Sequence, residues 1–300
     1  MRWGANASQG FTVIEMVTVL GVSALIFAGI MIQYSDSVSA SYNQKVRMAA
    51  NLQAQAILQN IVLELRVLGN GVPFDQTNFQ IDEQDGVLTD PKKAWPIDID
   101  TATAHRISFR LNETGTTHLL YDNFNPSASL QIRLTDTEGL DVNDPIYITN
   151  SVVAGDDGFY GVLTAVNHSS KTVTVGSDYV VSRTLNPDTE TWVDAVFPEG
   201  SLLEEVPMVT FDSPADNSGI TRDSGYGAVM LGAGSTMTLE YLDQNGATIG
   251  LPLTLQKLAG QLRLIRVTVT MPSSKKFSDG SIYTATASQT VGLRNLNYTF

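Results

Sequence analysis

Hydrophobic and polar positions divide the chain into two textures. From residue 11 to residue 32 every position is apolar or small, Glu15 being the one exception. As a helix that run measures about 33 Å at ~1.5 Å per residue. It therefore matches the hydrocarbon core of a bilayer, about 30 Å thick. Residues 33–72 keep a helical period but turn amphipathic. Ala54, Leu58, Ile61, Leu65 and Leu68 recur three or four apart, while Gln53, Gln55, Gln59, Asn60 and Glu64 fill much of the rest. The stripe predicts a face on which a β-sheet packs, with a coiled-coil seam as the other use of such spacing. Gly69-Asn70-Gly71 followed by Pro73 predicts the helix end.

Beyond Pro73 the period drops from 3.6 to 2. Alternating runs stand at Ile107, Phe109 and Leu111, at Ile132 and Leu134, and at Ile146 and Ile148. Residues 161–166 and 173–175 are two strands joined by a turn at 167–171. Met237, Leu239 and Tyr241 run into Asp243-Gln244-Asn245-Gly246, an Asn-Gly hairpin signal, with Ile249, Leu251, Leu253 and Leu255 as the expected return strand. Ile265, Val267, Val269 and Met271 make another strand, and Tyr283, Ala285 and Ala287 follow. No sustained helical period is visible after residue 72. The expected fold class is α+β: one long N-terminal helix packed on a mostly antiparallel β-rich head.

Glu15 is the position that needs a chemical reason. A plain signal anchor leaves it unexplained. So does a cleaved secretory signal ending near Val38-Ser39-Ala40, whose apolar run of 16–32 also exceeds the usual h-region of about 7–15 residues. A carboxylate at the bilayer centre costs about 2.5–3.5 kcal/mol on insertion scales. Near the start of the helix the cost is smaller, and the partial positive charge of the first-turn amides favours a Glu there. Gly10-Phe11-Thr12-Val13-Ile14-Glu15, followed by a single apolar helix, resembles the type III signal of type IV prepilins and type II secretion pseudopilins. The resemblance implies a leader at 1–10, cut after Gly10 by a prepilin peptidase/methyltransferase, and N-methylation of Phe11. It further implies that Glu15, with Thr12 beside it, is an assembly contact that pairs with the terminal amine of a neighbouring subunit. Two departures stand out. The only basic residue of the leader is Arg2. The helix-kinking proline of major pilins, near mature position 22, is replaced by Ile32, which points to a minor component.

More diffuse likenesses continue into the head. Leu65-Arg66-Val67-Leu68-Gly69, the stretch 139–148 around Asn143-Asp144-Pro145, Glu199-Gly200-Ser201, Glu240-Tyr241-Leu242-Asp243 and Val291-Gly292-Leu293-Arg294-Asn295 stand in the order found in PilW-type minor pilins. The resemblance implies a filament-core helix at 11–32, its amphipathic continuation at 33–72 and a periplasmic head at 73–300 with an inserted β region near 126–198. It implies a single-pass inner-membrane precursor with a cytoplasmic N-terminus, later a pilus component. Its partners would be other minor pilins, the major pilin and the inner-membrane assembly platform. A J-type minor pseudopilin of type II secretion shares most of this plan, and a pilus-tip adhesin is a further alternative.

Composition narrows the chemistry. The chain is 43% hydrophobic, ordinary for a folded protein, and its net charge is −13; loss of the leader removes Arg2 and makes it −14. So acidic a chain is a poor partner for nucleic acid. Absence of cysteine excludes thiolate metal sites and Cys nucleophiles. His105, His118 and His168 lack metal-ligand spacing. Asp82-Glu83-Gln84-Asp85, Asp98-Ile99-Asp100 and Asp156-Asp157 lack the spacing of an EF-hand and read as solvated loops. Gly69-Asn70-Gly71 and Gly232-Ala233-Gly234 lack the rest of a dinucleotide loop, and Ser224 sits in a turn rather than a nucleophile elbow. The expectation is an assembly protein, not an enzyme, with no metal and no cofactor.

Overall fold

A computed structural model describes residues 12–72, 94–150, 158–186, 188–189 and 191–296. Gly10, Phe11, the acidic run 82–85 and Asp156-Asp157 lie outside them. The chain divides into two compact units, one of Met1–Ala50 with Pro272–Thr284, the other of Asn51–Met271 with Ala285–Phe300.

Helix α1 is continuous over Val13–Arg66. It ends where Gly69 and Gly71 take φ of +76° and +79°, the left-handed region that suits glycine. In the first unit a hairpin tip clasps the middle of the helix. Asn43 exchanges two hydrogen bonds with Ser278, at 2.9 and 3.1 Å, and the Arg47 guanidinium lies over Phe277 and Tyr283.

In the second unit the predicted stripe is buried: Ala54, Leu58, Ile61, Leu65 and Leu68 are 0–4% exposed. One sheet of this unit orders β1 (Arg106–Arg110), β11 (Met208–Asp212), β12 (Gly219–Asp223) and β13 (Val229–Ala233). A second sheet holds β14 (Thr236–Leu242), β15 (Leu264–Lys276) and β16 (Ile282–Gly292). Ile57 fits against Gly232, where a Cβ would sit 2.5 Å from its methyl, and Gln59 bonds Gln289.

Between β1 and β11 the chain builds a body of its own. Its strands are β2 (Thr117–Leu119), β3 (Gln131–Arg133), β4 (Pro145–Thr149), β5 (Gly158–Asn167), β6 (Thr172–Val175) and β10 (Leu202–Glu205). They stand in the order β2-β10-β4-β5-β6-β3. The two ends of that order then meet: Tyr121 N–H donates to Arg133 O at 2.8 Å and Thr135 N–H to Leu119 O at 2.9 Å. The result is a closed barrel, and closure leaves no sheet edge. Phe124, Phe159, Phe197, Leu134, Ile146 and Leu203 are among the residues filling its interior. Short β7 (Val180–Val181) joins β5, and β8 (Arg183–Asn186) pairs with β9 (Thr191–Asp194). Residues 126–198, where an insert is expected, contribute β3 to β9.

One expected element is replaced. The Asn-Gly turn forms, with Gly246 at φ +81° and the Asp243 carboxylate accepting from Asn245 and Ala247. The return strand over 249–255 does not. After Ile249 bonds Tyr241 O, Pro252 lacks a ladder donor, and Thr254 caps a short helix, α2 (Leu255–Gly260), by accepting from Lys257 N–H. β14 pairs instead with β15, from Thr236↔Thr270 to Leu242↔Leu264. A helix of six residues is too short to leave a period in the sequence.

Candidate functional site

The first turn of α1 is built by two side chains. Thr12 is its N-cap: the Thr12 hydroxyl accepts from Glu15 N–H at 3.3 Å, and Glu15 Oε2 accepts from Thr12 N–H and from the Thr12 hydroxyl, both at 2.9 Å. This reciprocal arrangement is a capping box, the structure that Thr-x-x-Glu specifies. The signal was present in the sequence; its reading as a charge beside a helix dipole missed the hydrogen bonds. Glu15 Oε1 has no hydrogen bond to any described residue, so the carboxylate caps with one oxygen and presents the other.

Behind the cap the helix is apolar and bare. Val13 is 81% exposed and Ile14 78%, and the window that is long and apolar enough to cross a membrane buries none of its residues inside the protein. Thr18 returns its hydroxyl to Ile14 O at 2.8 Å, which satisfies that donor within the helix. In water so large an apolar surface is unfavourable, whereas in a bilayer or a bundle of like helices it costs nothing.

The end of α1 carries the other charged cluster. Arg222 donates to Glu64 at 2.7 Å and to Glu113 at 2.6 Å. Glu64 Oε2 is buried without a partner, and burial raises the Glu64 pKa despite the guanidinium. Further along the same surface, burial and the charges of Asp144, Glu113 and Asp141 push the Glu205 carboxyl up to about 6. Burial likewise raises Glu204 and Asp144.

Among the described residues no group of three His, Cys, Asp or Glu side chains is placed to hold a metal. Each histidine has a local partner: His105 meets Met237 O at 2.7 Å, His118 meets Asp136 at 2.8 Å, and His168 meets Thr137 at 3.0 Å. The Asp98 carboxylate is taken up by Asp100 N–H and the Thr101 hydroxyl. The Asp223 carboxylate, beside Ser224, closes a turn by accepting from Gly225 and Gly227.

A scan against models of protein families finds no match, and searches of the curated proteins and of the solved structures find none either.

Proposed function

We propose that the chain is the precursor of a minor pilin of the PilW type, an assembly subunit anchored by the first half of α1. The observation that carries this reading is the juxtaposition of Gly10-Phe11-Thr12-Val13-Ile14-Glu15 with a helix whose following apolar run is bare. Peptidase cleavage after Gly10 gives Phe11 a free amine, cationic near neutral pH with a reference pKa of about 7.7–8.0. That amine is the complement a neighbouring subunit offers to Glu15. An unpaired charge is costly in hydrocarbon, so the pair favours one register as subunits leave the membrane. The body between β1 and β11 supports a pilus subunit over a J-type pseudopilin, whose head is usually shorter.

Intact-mass and N-terminal peptide analysis, in hosts with and without prepilin peptidase, tests it. The expected mature chain begins at N-methyl-Phe11 only where the peptidase is present. An N-terminus near Ser41, or an uncut chain in both hosts, sinks the proposal.

A further inference from the structure

Sheet edges present unpaired N–H and C=O groups, and proteins blunt them with charges, prolines, bulges, short strands or covering segments. Nearly every edge among the described residues is treated in one of these ways. The barrel has none, since β3 closes on β2. The free side of β1 is covered by 96–98, through Asp98 N–H to Ser108 O and Arg110 N–H to Pro96 O. β14 is covered by Ala104, whose carbonyl takes Leu239 N–H at 2.7 Å, and by Ser213, which takes Met237 N–H at 3.0 Å. β13 is five residues long and follows a bulge between Ile220 and Thr221. β8 and β9 are four residues each and carry the Arg183–Asp194 ion pair.

β16 is the exception. It runs eleven residues, IYTATASQTVG, with no charge and no proline, at the end of the order β14-β15-β16. No described strand lies beyond it. Its inner face is closed, Ala285 and Val291 being buried. Its outer face is a row of hydroxyls at Thr286, Ser288 and Thr290. The row is held by neighbours on β15: Ser288 bonds Thr268 at 2.9 Å and Thr290 accepts from Arg266 at 3.4 Å. The strand is rigidly backed, long and neutral.

We infer that the outer edge of β16 is a docking site for an extended, uncharged strand of another protein, which adds to the sheet by backbone hydrogen bonds. Neutrality selects the occupant, because a charged strand would lose solvation with no counter-ion on β16. A second copy fits badly. Gln59 meets Gln289 and Asn295 meets the carbonyls of Val67 and Leu68, so β16 and α1 run in the same direction. Copies anchored in one bilayer carry α1 in parallel, and their β16 edges cannot then pair antiparallel, the more stable ladder. That exclusion alone rests on the membrane reading above.

The test uses the full chain in lipid nanodiscs and, as probe, a synthetic peptide of sequence IYTATASQTVG, a neutral strand free to approach in either direction. The peptide is expected to bind and to slow amide hydrogen exchange over 285–292 while leaving 117–205 unchanged. Thr284→Lys with Thr286→Lys, both on the exposed face, should abolish binding without lowering the melting temperature. Thr238→Lys, on the covered strand β14, should leave binding intact. Failure of the native chain to bind, or undiminished binding by the double-lysine variant, overturns the site. A Ser288→Cys variant that forms a disulfide-linked dimer in nanodiscs makes the occupant a second copy and overturns the assignment. None of these readouts depends on N-terminal processing, so they fail independently of the pilin reading.

Discussion

At the scale of single residues, chemistry can separate the capping that Glu15 performs from the pairing proposed for it. The capping box needs an oxygen acceptor, which Gln supplies as well as Glu. Pairing with a neighbour's ammonium needs the charge. Glu15→Gln is therefore expected to leave cleavage and membrane insertion intact, yet to reduce incorporation into filaments as severely as Glu15→Ala. If capping were the whole role, Gln would behave like wild type and only Ala would fail. Quantifying the protein in sheared filaments for both variants decides between the two. Thr12 enters the same comparison as the other half of the box, and it was legible for the same reason: Thr-x-x-Glu is a local signal.

At the scale of elements, what could be read in advance was whatever depends on near neighbours in sequence. The period of α1, its stop at Gly69 and Gly71, and the alternating strands at 107–111 and 265–271 all belong to that class. The lost return strand shows the limit, since pairing of β14 with β15 is decided by competition between distant partners and not by the Asn-Gly turn. The Arg222 staple is of the same distant kind. It ties β12 to the last turns of α1 across 158 residues of sequence, and nothing near either residue announces it. Its removal is informative because Glu64 is already half desolvated. Arg222→Ala leaves that carboxylate facing a dry environment and should destabilise the head by about 1–3 kcal/mol. Adding Glu64→Leu should restore much of the loss, because the penalty lies in the orphaned charge more than in the pair itself. Denaturant unfolding of the two variants reads both effects.

At the scale of the whole molecule, barrel closure and the acidic surface arise from folding rather than from any segment. Closure depends on Tyr121 meeting Arg133 and Thr135 meeting Leu119; the alternation at Ile132 and Leu134 announces one of these strands, but nothing near it names 119–121 as its partner. The same folding gathers Asp141, Asp144, Glu113 and Glu205 from separate segments into one repelling neighbourhood, visible only as a net charge of −13 before the chain is folded. The consequence is a stability that depends on pH in an unusual direction. A carboxyl whose folded pKa is raised binds more protons in the folded state than in the unfolded one, so stability falls as pH climbs between the two values. For Glu205 that window runs from about 4.5 to about 6, and Glu204, Asp144 and Glu64 act in the same sense. Asp216 and Asp279, whose pKa values are lowered by local hydrogen bonds, act oppositely, but only as pH drops through their acid range below the window. Lowering pH from 7 to 5 also reduces the overall self-repulsion of the acidic chain. The melting temperature should therefore be higher at pH 5 than at pH 7, and Glu205→Gln should narrow that difference by stabilising the protein more at pH 7 than at pH 5. A thermal scan of wild type and variant at the two pH values checks it. A wild-type melting temperature that rises with pH across this window would mean that the cluster is better solvated, or better paired, than its burial implies.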